Sequence, residues 1–170
     1  MSGKKLNITV LMTVFNGDKF VEQSVKCILN QTLSDFEFLI IDDGSEDDSG
    51  KIINSIKDNR IIYKRIKHSG LAAALNYGMK IAKGDWIARA DADDLSVVRR
   101  LKAQTEYLIK HPKTDVLGSH SVYFADPGKI LFQLSPPSGD KKIKEFMYLH
   151  NPINHSSVIF RKEKILKEGG

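Results

Sequence analysis

The sequence predicts an α/β fold in which a mostly parallel central sheet is covered by helices on both faces. Two observations carry this prediction. Short apolar runs alternate with segments of helical periodicity through the first two-thirds of the chain, and three of those runs stop abruptly at polar clusters. Such alternation is typical of parallel sheets, because each parallel strand needs a crossover helix before the next. At 170 residues, with 41% hydrophobic and 28% charged residues, the chain suits one globular domain.

The first strand is predicted at residues 7–15, a β-rich apolar run that ends at Asn16. Asp18 is expected to cap the helix that follows. The inward face of that helix is predicted to carry Val21, Val25, Ile28 and Leu29. A second strand is predicted at residues 36–41, and the helix after it has its apolar positions at Ile52, Ile53 and Ile56.

A third strand is predicted at residues 60–66. The next helix has the clearest pattern, since apolar or small residues recur at helical spacing from Leu71 to Ala82, and Gly84 stands where a C-terminal cap glycine is expected. A fourth strand is predicted at residues 85–90. The helix after that strand is expected to bury Leu101, Thr105, Leu108 and Ile109 and to end before Pro112.

The pattern changes beyond Pro112. Residues 116–124 and 130–134 are predicted to form a hairpin around the turn Asp126-Pro127-Gly128. A short helix through Phe146 follows, and residues 151–160 are predicted to form a loop and a strand.

Composition excludes several classes of protein. A single cysteine, Cys27, excludes an internal disulfide framework and a multi-cysteine zinc site, and it favours a reducing, cytoplasmic compartment. The longest apolar run is far shorter than the ~20 residues of a spanning helix. A net charge of +5 without a basic, aromatic-rich stripe predicts no nucleic-acid partner. Residues 141–170 contain seven Lys and Arg residues and three Glu residues. This basic segment is interpreted either as a solvated end of the chain or as a surface that faces a membrane or an anionic acceptor.

Three polar clusters follow predicted strands, at the ends where open α/β sheets bind their ligands. They are Thr-Val-Phe-Asn at 13–16, Asp-Asp-Gly-Ser at 42–45 and Asp-Ala-Asp-Asp at 91–94. Because the carboxyl ends of parallel strands meet at one edge of a sheet, we expect the three clusters to converge. Their convergence is a stronger signal than any one of them.

The cluster at 91–94 places three carboxylates within four residues. A divalent cation would relieve their repulsion, and Mg²⁺ or Mn²⁺ binds carboxylates together with phosphate oxygens and water. Asp91 and Asp93 point the same way if the backbone is extended. The alternative is a solvated acidic loop in which Asp94 or Ser96 caps the next helix.

Within the other two clusters, different residues are given different roles. Asp43 is a candidate ligand for a pyrimidine N3–H or a ribose hydroxyl, whereas residues 46–48 are expected to cap the next helix and face solvent. Thr13 and Asn16 would bracket a base, although such residues are more often found in turns. The chain has no P-loop, no dinucleotide-binding fingerprint and no nucleophile elbow.

Two further residue types are given structural roles. Cys27 is expected to be a buried thiol on the inward flank of its helix. His150 and His155 lie on either side of Pro152, which spoils helical metal-ligand spacing, so each is expected to be a loop or acceptor-side residue.

The ordered set of motifs resembles family 2 glycosyltransferases with the GT-A fold. The matching segments are residues 13–16, Leu-Asn-Gln-Thr at 29–32, residues 41–45, Gly-Leu-Ala-Ala-Ala-Leu-Asn at 70–76, Ala-Lys-Gly-Asp-Trp-Ile-Ala-Arg at 82–89, the Asp-Ala-Asp-Asp signature at 91–94, and Asn-Pro-Ile with His-Ser-Ser-Val at 151–158. The last segment resembles a family element near the acceptor side. The resemblance covers nearly the whole chain.

The resemblance implies a Rossmann-like three-layer sandwich, in which residues 1–112 bind the nucleotide sugar and residues 113–170 begin the acceptor side of the same domain. It implies an inverting hexosyltransferase that moves a sugar from a nucleotide-diphosphate donor, commonly a UDP-sugar, to a saccharide or lipid-linked acceptor in bacterial surface polysaccharide synthesis. The implied donor-binding residues are Thr13, Phe15, Asn16, Asp42, Asp43, Gly70, Asp91 and Ala92. Asp93, with Asp91, would hold Mn²⁺ or Mg²⁺.

Family members normally continue past Gly170 into an element whose acidic residue serves as general base. The resemblance therefore implies a chain truncated at its C-terminus that lacks this base, and it leaves the activity of the 170 residues open. The alternative function is a non-catalytic nucleotide-sugar or metal-binding module. A nucleotidyltransferase is weaker, since no glycine-rich loop follows the first strand. Attachment to the inner face of the membrane stays open, and the sequence indicates no oligomeric state.

Overall fold

The computed structural model describes residues 5–125 and 129–169, and their strands and helices alternate as predicted as far as residue 110. The strands are β1 (Ile8–Val14), β2 (Glu37–Asp42), β3 (Ile61–Arg65), β4 (Trp86–Asp91), β5 (Val116–Leu117), β6 (Ser121–Phe124), β7 (Ile130–Leu134) and β8 (Ile159–Arg161). The helices are α1 (Val21–Leu29), α2 (Ser49–Ser55), α3 (Leu71–Ile81), α4 (Arg100–Lys110), α5 (Asp140–Met147) and α6 (Lys162–Lys167), with a 3-10 turn at His155–Ser157.

Six strands form one sheet in the order β3-β2-β1-β4-β8-β5, and β1 to β4 run parallel. β8 lies antiparallel between β4 and β5. The predicted mostly parallel sheet is therefore confirmed. β1 is buried at every residue, which explains why it is an apolar run without alternation. Because β1 has β2 on one side and β4 on the other, the strand order reverses between β1 and β4, and such a switch point is where ligand crevices open.

The side chains of β1 divide between two cores, one on each face of the sheet. Val10 and Met12 belong to a cluster that includes residues of α1, α2 and α4, among them Val25 and Leu101. Leu11 belongs to a second cluster, which includes residues of α3. The three-layer arrangement follows from this alternation of side chains along a fully buried strand.

Two predicted helix caps take other forms. α1 begins at Val21 rather than directly after Asp18, whose backbone N–H donates to Asp47 Oδ2 at 2.9 Å. Gly84 does not adopt the left-handed backbone of a cap glycine. A Cβ at that position would lie 2.4 Å from the backbone nitrogen of Thr9, so the close approach of the chain to β1 explains this glycine.

α4 begins at Arg100, so neither Asp94 nor Ser96 occupies its N-cap position. The helix buries Leu101, Thr105 and Leu108 as predicted, but Ile109 is 41% exposed. Gln104 of this helix is also buried, and its Nε2 donates to Ser157 O at 2.8 Å. This bond ties α4 to the 3-10 turn, a contact that apolar periodicity does not reveal.

Two other predictions are met in part. The N-cap residue of α2 is Asp48, whose side chain forms no capping hydrogen bond, but Asp47 Oδ1 accepts from Ser49 N, the first residue of the helix, at 2.9 Å. Cys27 is partly exposed rather than buried.

β6 and β7 form the predicted hairpin, whose turn at 126–128 lies outside the described residues. Val116 and Leu117 do not belong to it, because they pair with β8 at the edge of the main sheet. None of the helices in residues 5–125 and 129–169 is long and apolar enough to cross a membrane.

Candidate functional site

A cleft of about 430 Å³ opens where the predicted polar clusters meet. It lies at the carboxyl ends of β1 and β4, at the switch point of the sheet. Its lining includes Thr13, Phe15, Asn16, Asp43, His68, Leu71, Asp91, Ala92 and Asp93. The register of the sheet explains the convergence, because Thr13 lies opposite Ile41 of β2 and opposite Asp91 of β4. The predicted convergence of the three clusters is confirmed.

Hydrogen bonds to the β2–α2 loop hold the loop after β1. Asn16 N donates to Ser45 Oγ at 3.0 Å, and Asn16 Oδ1 accepts from Glu46 N at 2.8 Å. Gly17 N donates to Ser49 Oγ at 2.8 Å. Asn16 has a φ of 51°, in the left-handed region that asparagine tolerates better than most residues. The side-chain oxygen of Asn16 is therefore committed to the loop that shapes one wall of the cleft.

Asp43 is a buried carboxylate that holds the loop between β3 and α3. Its Oδ1 accepts from Ser69 N at 2.8 Å, and its Oδ2 accepts from Gly70 N at 2.9 Å. Burial raises the pKa of Asp43, but the hydrogen bonds from Ser69 and Gly70, together with nearby His68, outweigh it and leave the pKa below its ordinary value. Asp43 is therefore ionised at neutral pH, and it fixes the loop that presents His68 and Leu71 to the cleft.

Phe15 and His68 form a stacked pair on the cleft wall. Their ring centroids are 4.1 Å apart with an interplanar angle of 23°. Phe15 is 48% exposed, so this aromatic pair offers a flat apolar surface to a planar ligand. Phe15 was predicted from the sequence as a site residue and His68 was not, although His68 follows the third predicted strand just as the other clusters follow theirs.

Two predicted ligand residues, Asp42 and Gly70, are not in the lining of the cleft. Asp42 is fully buried, and its carboxylate accepts from Ser45 N at 2.7 Å and from the Tyr63 hydroxyl at 2.5 Å. Burial, and then the bond to Asp42, raise the pKa of Tyr63. Gly70 gives its N–H to Asp43, and its φ of 89° requires glycine at the start of α3. Both residues therefore hold loops that border the cleft and do not line it themselves.

Asp91, Ala92 and Asp93 line the cleft, but only Asp91 has extended backbone as the last residue of β4, and Ala92 and Asp93 follow it in a turn. Asp94 N donates to Asp91 O at 3.4 Å within this turn. Asp93 is exposed, and its carboxylate forms no hydrogen bond or ion pair with the residues that the structure describes. Asp93 is therefore a carboxylate available to a ligand.

Two buried arginines lie beneath these aspartates. Arg89 is 2% exposed, and its Nη1 lies 2.5 Å from Asp91 Oδ1. Arg100 Nη2 donates to Arg89 O at 2.7 Å. Burial lowers the pKa of Arg100 to about 10, although Asp94 and Asp91 act to raise it. The expected repulsion among the acids is thus relieved in part by the two arginines, a role that was not predicted for them from the sequence.

Within the described ranges, no group of three or more His, Cys, Asp or Glu side chains is arranged to hold a metal ion. Asp91 and Asp93 are nonetheless hard oxygen donors. Mg²⁺ and its analogues commonly take one or two carboxylates and complete their coordination with phosphate oxygens and water. The pair therefore fits such an ion when a phosphorylated ligand supplies further oxygens.

The family model that matches this chain is glycosyl transferase family 2, over residues 9–170. The chain is 34% identical over 168 residues to the O-antigen biosynthesis glycosyltransferase WbnJ of Escherichia coli, covering 96% of this chain and 65% of that protein. It is 31% identical over 166 residues to the amylovoran biosynthesis glycosyltransferase AmsE of Erwinia amylovora, covering 95% of this chain and 62% of that protein. The chain therefore spans less than two-thirds of the length of these curated relatives.

Solved structures share the architecture at low sequence identity. The crystal structure of S. aureus TarS 1–349 in complex with UDP-GlcNAc matches with a TM-score of 0.72 at 18% identity, over 96% of this chain and 48% of that one. The mannosyltransferase PcManGT from Pyrobaculum calidifontis, in complex with GDP-Man and Mn²⁺, matches with a TM-score of 0.70 at 16% identity, over 98% of this chain and 48% of that one.

Proposed function

The chain belongs to glycosyl transferase family 2 and has the predicted GT-A fold, and from that membership we propose that its cleft binds a nucleotide-diphosphate sugar as the donor side of an inverting glycosyltransferase. One observation carries the proposal. An exposed aromatic pair, an ionised buried carboxylate and the Asp91–Asp93 turn meet in one cleft at the switch point of a parallel sheet. Its volume suits a small organic ligand.

The base end of the donor is assigned to Phe15, Thr13 and Asp43. Phe15, stacked on His68, supplies a surface for a planar base. The Asp43 carboxylate accepts from Ser69 N, Ser69 Oγ and Gly70 N, and its Oδ2 lies 2.9 Å from His68 Nδ1. A carboxylate has about four acceptor sites, so an N–H of the base would replace one of the two side-chain contacts, that of Ser69 Oγ or that of His68 Nδ1. An ionised acceptor favours a base with an N–H on its pairing edge, such as uracil, and we infer a UDP-sugar as donor.

The diphosphate end is assigned to Asp93 and Asp91, which would hold Mn²⁺ or Mg²⁺. A divalent ion bound there would neutralise the negative charge that develops on the departing nucleoside diphosphate. Arg89 orients Asp91 through the contact between Nη1 and Oδ1. In the inverting reaction the acceptor oxygen attacks the anomeric carbon from the face opposite the leaving group.

We assign the general base to none of the described residues. The acids that line the cleft are Asp43, Asp91 and Asp93, and each is assigned to the donor. This observation favours one second candidate, a non-catalytic module that binds a nucleotide sugar or a metal without transferring the sugar.

The acceptor is proposed from the relatives. WbnJ is named for O-antigen biosynthesis and AmsE for amylovoran biosynthesis. We infer by analogy a saccharide or lipid-linked acceptor in the synthesis of a bacterial surface polysaccharide. The cytoplasmic location that the single cysteine predicts stays a prediction, and attachment to the inner face of the membrane stays an open alternative.

Calorimetric titration with UDP tests the donor assignment. We expect UDP to bind more tightly in Mn²⁺ than in EDTA, and we expect Asp93→Ala to remove the metal-dependent gain. Glu106→Ala, which removes an exposed carboxylate on α4, is the matched control and should bind as wild type does. Equal UDP affinity with and without metal contradicts the role given to Asp93. Turnover of a UDP-sugar separates the two candidates, because the non-catalytic module binds UDP without turnover.

A further inference from the structure

Arg89 joins two groups that are far apart in the sequence. Its Nη1 lies 2.5 Å from Asp91 Oδ1 and 2.9 Å from Ala90 O. Its Nη2 lies 3.1 Å from Nδ1 of His155, a residue of the 3-10 turn. One buried guanidinium therefore connects a carboxylate of the cleft to an imidazole from the later part of the chain.

This connection has an energetic cost. Arg89 is almost fully buried, and in the described structure its Nε is a buried donor without a hydrogen-bond partner. An unsatisfied buried donor destabilises the folded state, and an apolar side chain of similar volume would avoid that cost. A guanidinium at this buried position is explained by its contacts with Asp91 and His155, which its terminal nitrogens hold in place.

The contact fixes the hydrogen on the imidazole of His155. Guanidinium nitrogens donate and do not accept, so His155 Nδ1 accepts the bond and the ring carries its hydrogen on Nε2. Partial burial of the ring, and then the charge of Arg89, lower the pKa of His155, while Asp91 acts to raise it. The neutral ring with a single N–H donor is therefore the form present at neutral pH.

The turn that carries His155 is anchored on both sides. Asn154 Oδ1 accepts from Ser156 N at 3.3 Å, and Asn154 Nδ2 donates to Ser121 Oγ at 2.8 Å. Gln104 Nε2 donates to Ser157 O at 2.8 Å. His155 itself is exposed, so its orientation is fixed while a ligand has access to it.

We propose that His155 Nε2–H donates to a phosphate oxygen of the nucleoside diphosphate, and that Arg89 is the positioning residue that holds this donor next to Asp91. The proposal rests on the function proposed above. A neutral N–H donor is suited to this place, because Asp91 and Asp93 are anionic and a developing phosphate charge needs donors that are oriented in advance.

Two substitutions at position 155 provide a matched pair. His155→Gln places an amide NH₂ near the position of Nε2, whereas His155→Asn keeps an acceptor near the position of Nδ1 and removes the outer donor. With UDP and Mn²⁺ we expect His155→Asn to weaken binding about tenfold, the effect of one hydrogen bond to a charged group. His155→Gln should stay within about threefold of wild type. Because the side chain is exposed, both variants should fold.

A second measurement tests the positioning role without a ligand. In ¹⁵N-labelled wild-type protein, we expect the ring nitrogens of His155 to show a single Nε2–H tautomer with a hydrogen-bonded Nδ1. In Arg89→Lys the Nδ1 signal should move toward that of exposed His120, the internal reference. A wild-type His155 spectrum like that of His120 would overturn the positioning role. Equal UDP affinity in wild type and both His155 variants would overturn the phosphate contact alone, whereas no UDP binding by wild type would overturn the proposed function.

Discussion

Replacing Asp43 by asparagine should destabilise the protein by about 3 kcal/mol. The carboxylate accepts from Ser69 N, Ser69 Oγ and Gly70 N. Asparagine has one acceptor oxygen, so its NH₂ must face one of these donors and leave it unsatisfied, at a cost of about 1–3 kcal/mol. The remaining bonds lose their charge assistance, which roughly halves their strength.

Urea unfolding measures this change, with Asp140→Asn as the control. Asp140 is exposed and forms only a surface ion pair with Lys144, so its substitution should stay within about 0.5 kcal/mol of wild type. If Asp43→Asn also stayed within that margin, Asp43 would not hold the loop that carries His68.

The same carboxylate predicts a pH dependence. Burial acts to raise the pKa of Asp43, but the hydrogen bonds from Ser69 and Gly70 leave it below its ordinary value of 3.8, so in acid the unfolded chain binds the proton first. The stabilisation by Asp43 is therefore complete above its unfolded pKa and is lost as the pH falls through the lower folded value. Wild type should lose stability more steeply than Asp43→Asn below about pH 4. Parallel pH profiles would contradict this assignment.

Two further predictions concern the cleft wall and the fold. Phe15→Ala should weaken UDP binding about fivefold or more in calorimetry, since stacking of a base on an aromatic ring contributes about 1–3 kcal/mol. The control variant Tyr107→Ala, which lies outside the cleft, should bind UDP as wild type does. An unchanged UDP affinity in Phe15→Ala would exclude stacking of the base on this ring. Gly84→Ala should lower the stability by more than about 2 kcal/mol, because its Cβ would meet backbone of β1 at 2.4 Å, well inside the usual contact distance. Thermal unfolding measures this change, with Gly118→Ala as the control, because the Cβ at that position would first meet Ile153 Cγ2 at 3.3 Å. An equal loss of stability in the two variants would contradict the explanation given for Gly84.

The parallel half of the fold was predictable because its elements have strong local patterns. A fully buried strand such as Ile8–Val14 is an unbroken apolar run, and a helix such as Leu71–Ile81 repeats at helical spacing. The antiparallel additions were not predictable in the same way. Val116–Leu117 has two residues and Ile159–Arg161 has three, which is too short for a period, and their place beside β4 depends on contacts distant in sequence.

The cleft was predictable from residue type and position, but the partners of its residues were not. Acidic residues directly after buried strands indicated Asp43, Asp91 and Asp93 as candidates. That Asp43 holds the backbone of Ser69 and Gly70 depends on loop geometry, which a side-chain pattern does not encode. The contact of Arg89 with His155 joins residues 66 positions apart, and an arginine within an apolar strand was the one local sign of it.

Paramagnetic broadening by Mn²⁺ tests the central claim most directly, because it locates the ion on the protein. In the presence of UDP, substoichiometric Mn²⁺ should first broaden the amide signals of residues 91–94, with those around Thr13 and Asp43 next, and Mg²⁺ should shift the same signals without broadening them. Broadening centred on the exposed acids of α5, or spread evenly over the surface, would show that this cleft is not the site of a metal-bound nucleoside diphosphate.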